Sequence, residues 1–515
     1  MQSKNEIDYR VLAPMLNKLK QGEDTMKKPI ALLLSFAMIA CMFAGCNSGE
    51  SKQPETTNAP TEGKVENVET EDPKVSEDAA FVAPTVLGIE LTNLTLDGTL
   101  VGKYEGQTIT IATCEGDFAT ALENQIKTFE EITGATVVLN TFPGDSYMEK
   151  IQMDLNAGGN FDVILMPIAN IHGYATTGLV ADMTNMMTDW ASASYDVDDF
   201  LTGLFNTYAR YNNKLVALPY KPDIIMNFYR TDLFEDADLQ AKFKEMYGYD
   251  LEVPSDKTTL EQYLDICKFF TKKFNPDSPT TYGYCANAGA GNLRWIWQNR
   301  LPAYGGNVVD GEFNTMFNNE AGVDAMEYLM ALAECAPENW EEFAWESANA
   351  MFCSGDVAMM EQWPGLYNTT QAEGSAIVGK VGASVTAGGT PVLGGWALAI
   401  AAKSDNQELA FKFCEFCTSK DGEILKVENT MDPCRVSNYE RAEIVAFNPL
   451  YPVMIECLSL GASIADVDVP IVTSELNNVL ELTCHYALNG EKSIEDSLAW
   501  AQEQFDTIIA DAGLK

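Results

Sequence analysis

The sequence predicts an α/β fold, because strand-like and helix-like patterns alternate along the body of the chain. Residues 108–112 alternate between polar and apolar side chains, as a β-strand does. Residues 117–129 carry apolar side chains every three or four positions, as an amphipathic helix does, and Gly134 is well placed to end that helix. Residues 136–139 form a second strand-like segment, and the apolar run at 161–166 suits a buried parallel strand. Such alternation builds a parallel sheet.

The ends of these strands are the first candidate ligand positions. In open α/β sheets, ligands gather beyond the carboxyl ends of the strands. This rule selects Glu115 and Asp117, which follow the first strand, and the turn after Met166. Both carboxylates can accept hydrogen bonds from ligand hydroxyl groups. Asp117 can equally be the N-cap of the following helix, so both interpretations stay open.

Three further segments organise the rest of the body. Thr258 and Glu261 have the spacing of a capping box at the start of a helix, and residues 411–427 form another helical region. The stretch 282–396 is rich in aromatic residues and is interrupted by glycines. Within it, the strand-like residues 375–387 lie far along the chain from the first strand–helix units.

Composition limits the kind of ligand. A chain of 515 residues with 46% hydrophobic content can bury a large core and favours two or three compact units. Its 33 basic and 75 acidic residues give a net charge of −42, which opposes binding to nucleic acid or to an anionic lipid surface and favours a neutral ligand. Only His172 and His485 supply imidazoles, which argues against metal or general-base chemistry. We therefore expect no metal and no cofactor.

Two other groups of residues are better explained by structure than by chemistry. Cys414 and Cys417 form a CxxC motif within a helical apolar pattern, and the sequence has no second CxxC motif. Packing in the core is therefore favoured over zinc binding or redox chemistry. The acids at 196, 198 and 199 lack the turn glycine and terminal glutamate of a calcium loop. We interpret these acids as the solvent-exposed start of a helix.

The amino terminus carries an export signal. Lys27 and Lys28 precede an apolar run at 30–44, which ends in small residues before Cys46. The pattern resembles a bacterial lipoprotein signal, and the resemblance implies that Cys46 is lipidated. An uncleaved membrane anchor is the alternative.

That signal divides the amino-terminal region into three parts. Residues 1–25 would bury the charged start of the signal, so we expect translation to begin at Met26 and the signal to span 26–45. Residues 46–104 are predicted to be an acidic tether, because much of this stretch has too few large apolar side chains to fold.

Segments spread over the body resemble the family-1 extracellular solute-binding proteins of sugar ABC importers. The last of them places Arg435 and Ser437 after Pro433, a proline–arginine–serine pattern of that family. The matching segments are 161–163, 178–180, 217–220, 229–232, 304–307, 350–352, 355–359, 394–400 and 432–437. Their order and spacing carry the resemblance, since each is short.

The resemblance implies a two-lobe, periplasmic-binding-protein-like (type II) fold with a hinge and a ligand cleft between the lobes. The first lobe is expected to combine residues 105–222 and 376–420. The second is expected to combine residues 223–375 and 421–515.

A sugar-binding cleft needs flat aromatic surfaces and planar polar groups, because a sugar has an apolar face and a rim of hydroxyls. The resemblance implies that the rings of Trp363 and Trp396 line the cleft and stack on the sugar. Packing in the core is the alternative for each. It also offers Arg435 as a donor to ligand oxygens, with a hinge salt bridge as the alternative.

The remaining candidates follow from position. Asn292, Arg294, Trp295 and Trp297 come after a glycine-containing loop, where the family places side chains of the second lobe. A helix would separate the two tryptophans, so one of them is expected to be packing. Tyr220 lies near the point where the chain is expected to pass from the first lobe to the second. It is therefore expected to be a hinge residue or a ligand contact.

These observations predict a lipid-anchored binding protein on the outer face of the cytoplasmic membrane. It would be a monomer without catalytic activity that captures a carbohydrate, in particular an oligosaccharide, for the permease subunits of an ABC importer. A lipoprotein of the same fold that binds a peptide, or acts as a sensor or adhesin, is one alternative. A secreted carbohydrate-active enzyme is another.

Overall fold

The computed structural model describes residues 81–515, except 290, 390, 430, 461–462 and 465–466. The predicted extension, signal and lipidated Cys46 lie outside the described residues. Within them, no helix is both long and apolar enough to cross a membrane.

The strands of the described chain range from two to nine residues. They are β1 (Thr85–Val86), β2 (Ile89–Glu90), β3 (Thr108–Cys114), β4 (Thr136–Phe142), β5 (Val163–Pro167), β6 (Arg210–Tyr211), β7 (Lys214–Leu215), β8 (Leu218–Ile224), β9 (Met226–Arg230), β10 (Tyr282–Ala286), β11 (Val357–Gln362), β12 (Val381–Ser384), β13 (Val392–Ile400) and β14 (Ser463–Ile464).

The helices connect and cover these strands. They are α1 (Asp117–Thr133), α2 (Gly144–Ala157), α3 (Ile168–Thr176), α4 (Thr184–Trp190), α5 (Thr202–Ala209), α6 (Thr231–Phe234), α7 (Ala237–Tyr247), α8 (Leu260–Phe269), α9 (Leu293–Gln298), α10 (Glu320–Ala333), α11 (Trp345–Cys353), α12 (Leu366–Gln371), α13 (Gln407–Cys417), α14 (Ile424–Val427), α15 (Val436–Tyr439), α16 (Ala442–Phe447), α17 (Tyr451–Ser459), α18 (Thr473–Leu488) and α19 (Ile494–Asp511). Short 3-10 turns occur at Val197–Asp199, Pro302–Tyr304 and Trp340–Glu342.

Two main sheets define two lobes. The first sheet has the order β14-β13-β5-β3-β4, and β8 also pairs with β13. Its strands β3, β4 and β5 are parallel, as the sequence predicts, and β13 runs antiparallel to β5 and β8. The second sheet has the order β10-β11-β9-β12, in which only β10 and β11 are parallel.

The sheets show that two predicted lobe boundaries are wrong. Strand β12 lies within the predicted first lobe, but it pairs with β9 of the second sheet. Residues 421–459 were expected in the second lobe, yet Gly422 accepts a hydrogen bond from Gln125 of α1, and α14 packs on the same helix. Below, the first lobe means residues 85–224 and 392–460, and the second lobe means residues 226–384 and 467–515. A connection fixed by strand pairing cannot be located from local pattern alone.

The predicted tether also extends too far. Leu91, Leu94 and Leu100 are buried, and the backbone of Asn93 donates a hydrogen bond to Asp421 at 2.7 Å. The β1–β2 hairpin and the turns after it therefore pack on the first lobe, because these leucines supply the apolar surface that the preceding residues lack. Residues 85–104 therefore belong to the packed lobe and not to the tether.

Helix ends agree with the predicted pattern in most places. Gly134 caps α1 in the left-handed conformation, with φ of 72°, which a glycine adopts without strain. Gly116, not Asp117, is the N-cap of α1, so Asp117 is the first residue of the helix. The capping box before α8 is formed by Thr259 and Gln262, one residue later than predicted from Thr258 and Glu261.

Candidate ligand-binding site

The chain passes from the first lobe to the second between β8 and β9, and this passage is called the crossing below. The carboxyl edges of both sheets lie near it. Strand β8 ends at Ile224, opposite Leu393 of β13, and β9 begins at Met226, opposite Gln362 of β11. Only Ile225 separates β8 from β9, and its N–H donates to the carbonyl of Val392 at 2.9 Å. Side chains that follow the parallel strands of either sheet therefore lie near this crossing, where ligands of open α/β sheets are expected.

The first-lobe edge carries an aromatic group and two acids. Trp396 of β13 is half-buried, and its ring lies 4.6 Å from the ring of Phe118 and 6.5 Å from that of Tyr147, between centroids. Glu115 and Asp117 follow β3 at the same edge and are exposed. The three predicted residues on this edge thus share one surface region.

The second-lobe edge carries a pair of tryptophans. Trp363 follows β11, and its ring meets that of Trp295 of α9 edge to face, with centroids 5.1 Å apart and planes at 83°. Both rings are half-buried and pack against Ile225 and Val392 at the crossing. Edge-to-face packing fixes the two rings relative to each other.

A depression opens beside this pair. It contains about 300 Å³ of space unfilled by protein atoms, counted out to its open mouth. Its lining is Ile225, Ala286, Asn287, Asn292, Trp295, Ile296, Asn299, Glu361, Gln362 and Trp363. Aromatic rings and side-chain amides dominate that lining, which is the combination expected for a hydroxyl-bearing ligand.

Trp363 is positioned from both lobes. Its backbone N–H donates to Oε1 of Gln362 at 3.0 Å, and the Gln362 amide donates to Asn349 at 2.9 Å. Across the crossing, the ring abuts Gly394 of β13 so closely that a Cβ at this position would lie 2.7 Å from Trp363 Cη2. The glycine therefore allows the ring to reach the first lobe.

The acid at the base of the depression is already bound. Glu361 accepts hydrogen bonds from Arg300 through one carboxylate oxygen and from Tyr284, at 3.0 Å, through the other. Arg300 is fully buried and lies over the ring of Tyr328. Burial raises the pKa of Tyr284 well above its ordinary value, so its hydroxyl stays a donor. Glu361 thus shapes the site without offering a free charge.

Three predicted ligand contacts lie instead in the protein core. Tyr220 is fully buried and donates to Gln125 at 2.9 Å, with the ammonium of Lys426 4.6 Å from its ring centroid. Trp297 is fully buried and donates to the carbonyl of Gly322 at 3.1 Å. The expectation that one of Trp295 and Trp297 is packing is confirmed, because helix α9 turns them to different sides.

Arg435, the third of these residues, ties segments of the first lobe together. Its Nε donates to the carbonyl of Thr418 and its Nη1 to that of Asp196, each at 2.6 Å, and its guanidinium lies 4.0 Å from the ring centroid of Phe200. It also forms an ion pair with Asp199 at 3.7 Å. A fully buried guanidinium with these partners cannot contact a solute in the cleft. Its predicted ligand role is wrong, and so is that of Tyr220 and of Trp297.

Arg294 supports the site from behind. It is 5% exposed, its backbone N–H donates to Glu481, and its guanidinium lies 5.6 Å from the ring centroid of Trp295. Asn292 precedes α9 and lines the depression. The structure therefore gathers Trp363, Trp295 and Asn292 around one depression, with Arg294 beneath the ring of Trp295.

The sequence analysis missed Asn287 and Gln362. Asn287 directly follows β10, and Gln362 ends β11, so both lie at the carboxyl edge of parallel strands. The rule that selected Glu115 would have found them if β10 and β11 had been recognised as parallel partners. Their pairing joins residues more than seventy positions apart, which no local pattern indicates.

The other predicted groups also have places in the fold. Cys414 and Cys417 are buried within α13, which confirms core packing. Asp196 caps the turn at Val197–Asp199, and Asp199 is buried and accepts from Ser437 at 2.7 Å. Across the part of the chain that the structure describes, no cluster of three metal-ligating side chains occurs.

Two α/β lobes joined by crossings, with an aromatic and amide-lined depression beside the crossing, define a two-lobe solute-binding protein. The profile described as "Bacterial extracellular solute-binding protein" matches residues 115–424, more than half of the chain. The chain therefore belongs to the bacterial extracellular solute-binding protein family.

Curated relatives agree with this membership. A mannitol-binding protein of Pseudomonas aeruginosa is 24% identical over 434 residues, which cover 77% of this chain and 92% of that protein. A probable amino-acid ABC transporter periplasmic-binding protein of Sinorhizobium fredii is 25% identical and covers 73% and 84%, respectively. A probable ABC transporter-binding protein of Deinococcus radiodurans is 27% identical, but the match covers 49% of this chain and only 60% of that relative.

Solved structures share the fold. A solute-binding protein from Agrobacterium radiobacter K84, in complex with ribitol, superposes with a TM-score of 0.66 at 22% identity, over 79% of this chain and all of that one. A maltose-bound protein from T. maritima gives 0.65 at 22% identity, over 78% of this chain and all of that one. At these identities the likeness concerns the fold, and it confirms the predicted two-lobe class.

Proposed function

We propose that this chain captures a carbohydrate or sugar alcohol outside the cell and delivers it to the permease subunits of an ABC importer. The observation that carries the proposal is the depression beside the crossing, where Trp363 and Trp295 present aromatic surface next to the amides of Asn287, Asn292 and Gln362. Aromatic rings favour the C–H face of a sugar, and amides can both donate to and accept from its hydroxyls. One relative named for mannitol and structures solved with ribitol or maltose add support.

In this mechanism, ligand binding shifts an equilibrium between open and closed lobes. A solute in the depression touches the second lobe directly, and Trp363 links that surface to Gly394 of the first lobe. On the first lobe, Trp396, Glu115 and Asp117 would complete the contacts when the lobes close. A ligand that contacts both lobes favours the closed form in proportion to its extra affinity for that form.

The protein would remain at the cell surface through its lipid. The proposed anchor is Cys46, and the proposed tether runs from there to the first packed residues near 85. An importer that recognises the closed, loaded form would then find its donor protein at high local concentration. We propose that the chain acts as a monomer.

Catalysis is not part of the proposal. Glycoside hydrolysis needs two carboxylates, one of them a proton donor, on either side of the scissile bond. Among the described residues that line the depression, Glu361 is the one carboxylate, and Arg300 and Tyr284 occupy its oxygens.

A second candidate ligand class is an amino acid or short peptide, since the Sinorhizobium fredii relative is named for amino-acid transport. Isothermal titration calorimetry of the full chain against sugars, sugar alcohols, amino acids and di- and tripeptides separates the candidates. Our proposal predicts heat of binding with members of the first two groups, without release of a product. Binding of amino acids or peptides alone would replace it with the second candidate.

A further inference from the structure

A hydrogen bond between side chains joins the two lobes. Nδ1 of His172, on helix α3 of the first lobe, lies 2.9 Å from Oδ1 of Asp468 in the second lobe. A carboxylate can only accept, so Nδ1 carries the hydrogen and donates it. Nε2 of the same ring is buried without a partner among the described residues. The bond to Asp468 is therefore the ring's one hydrogen bond in the described part of the chain.

The first-lobe half of this pair is held in place by packing. Helix α3 packs on β5 and β13 of the first sheet and buries Ile168 and Ile171. The ring of His172 lies beside that of Tyr211, with centroids 4.7 Å apart and planes at 31°. The Tyr211 hydroxyl in turn accepts from Thr176 of α3 at 2.9 Å. The imidazole therefore belongs rigidly to the first lobe.

The second-lobe half is held by the core of that lobe. Val467 and Val469, on either side of Asp468, are buried in the hydrophobic core of the second lobe. The backbone N–H of Val467 donates to Asn477 of α18 at 3.0 Å, and the carbonyl of Val469 accepts from Thr473 at 3.0 Å. The side chain of Asp468, which is 53% exposed, reaches out from this anchored segment. Asp468 therefore moves with the second lobe.

The same segment carries backbone strain where it meets α3. Ile471 has a φ of 79°, which is unfavourable for a β-branched residue. Strain of this kind persists only where surrounding contacts hold the backbone, and it concentrates at segments that switch. A Cβ on Gly173 of α3 would lie 3.5 Å from the backbone nitrogen of Ile471, so the helix runs close beside the strained residue. Below, the clasp means the bond between His172 and Asp468 together with this contact.

The ion pair of the clasp stands apart from other charges. Of the elements that pack most on α3, namely β5, β13, α5 and α18, only α18 carries charged side chains. Two of these, Glu481 and His485, pair with each other at 3.3 Å inside the second lobe. A substitution at His172 or Asp468 therefore removes one interaction between the lobes without breaking a larger network.

A bond between two rigid bodies is sensitive to their rotation. A donor and an acceptor more than about 3.5 Å apart no longer make a hydrogen bond, so a relative shift of about 1 Å breaks the pair. We infer that the clasp holds the lobes in their present arrangement and opens whenever they rotate. Its loss then raises the population of rotated forms, at the crossing as well as at the clasp. This inference rests on the lobe rotation of the proposed function but on no particular solute.

Hydrogen–deuterium exchange of the full chain, kept in detergent without solute, tests the clasp. Asp468→Ala removes the acceptor, and His172→Phe keeps a ring beside Tyr211 but removes the donor. The amides to follow are those of α3, of residues 467–472 and of Ile225, whose N–H donates to Val392 at the crossing. Exchange through opening follows the open population. We expect it to be about 3-fold faster at all three places, the effect of one lost, partly exposed hydrogen bond.

Two further variants separate the bond from general loosening. The double variant of His172→Phe and Asp468→Ala should exchange no faster than either single variant, because both substitutions remove the same bond. His172→Asn supplies a side-chain amide donor close to the position of Nδ1 and should slow exchange back toward the rate of the unaltered protein.

The matched control is His485→Gln, because His485 pairs with Glu481 within one helix of one lobe. It should leave exchange at Ile225 unchanged. Thermal unfolding shows whether each variant is folded, and Asp468→Ala, at the exposed partner, decides the test if His172→Phe is not. Faster exchange confined to α3 and residues 467–472, or additive effects in the double variant, would overturn the inference. Solute binding is measured separately by calorimetry, so that result would leave solute capture standing.

Discussion

Replacing Trp363 by alanine tests whether the tryptophan pair is the centre of the binding site. The side chain presents a face to the depression, holds Trp295 edge to face at 5.1 Å, and packs on Ile225, Val392 and Gly394 at the crossing. Loss of an aromatic anchor in a binding site costs about 2 kcal/mol or more, which corresponds to a roughly 30-fold rise in Kd. We therefore expect Trp363→Ala to weaken the best carbohydrate probe by at least that factor.

The effect on stability should be smaller than the effect on affinity. Trp363 is half-buried at an open depression, so solvent can fill the space that its removal leaves. The folded-state loss is the aromatic pair, worth about 1 kcal/mol, together with the packing of the ring on Ile225, Val392 and Gly394. Urea unfolding should remain cooperative, with a midpoint close to that of the unaltered protein.

The assay needs a tryptophan control that lies away from the depression. Trp500→Ala removes the same side chain from the packing between α18 and α19 and should leave calorimetric affinity unchanged. Trp363→Phe should lie between the wild type and the alanine variant, because it keeps a smaller ring. If folded Trp363→Ala bound as tightly as wild type, the depression would not be the binding site.

Three other perturbations have clear expected outcomes. Burial raises the pKa of Asp432 from 3.8 to about 6, so the folded protein loses about 2 kcal/mol of stability as the pH rises from 4 to 6, and Asp432→Asn should remove this loss in urea titrations at the two pH values. Arg435→Ala should lower the free energy of unfolding by about 3–5 kcal/mol, because it leaves buried Asp199 without that partner, while the folded fraction keeps its affinity. Cys46→Ser should move the protein from the detergent phase to the aqueous phase in a partition assay, and continued partitioning into detergent would refute the lipid anchor.

The pH prediction has a direct control. Asp405 is exposed, so Asp405→Asn should leave the difference in unfolding free energy between the two pH values as it is in wild type. A pH dependence that persists unchanged in Asp432→Asn would mean that other buried acids, such as Asp223 and Glu423, are its source. Burial raises the pKa of both of these as well.

The sequence predicted the parts of the fold that depend on local pattern. The periodicity at 108–139 correctly indicated β3, α1 and β4, and Gly134 ended the helix as expected. Cys414 and Cys417 were correctly read as core residues for the same reason, because their helical spacing places them on an apolar element. Family resemblance added the two-lobe class, which hydrophobic periodicity cannot distinguish from other α/β folds.

The sequence failed where tertiary contacts decide the outcome. Arg435 matches the family's proline–arginine–serine pattern. Its guanidinium, however, donates hydrogen bonds to the carbonyls of Asp196 and Thr418, which are distant along the chain. Tyr220 lies next to Lys221 on β8, yet its burial depends on α1 and α14, which the local sequence does not place. Residue type selects what a side chain can do, and packing decides whether a ligand can reach it.

The distribution of buried charge explains how such a protein can both hold its shape and close on a ligand. In the first lobe, Arg435 joins Thr418, Asp196 and Asp199; in the second, Arg300 joins Glu361. Breaking a buried pair of this kind costs about 3–5 kcal/mol, so each lobe resists internal rearrangement. At Ile225, by contrast, one residue separates the strands of the two sheets. In the proposed mechanism we therefore expect rotation at the crossings to cost less than rearrangement within a lobe, and the affinity for a solute to bias it.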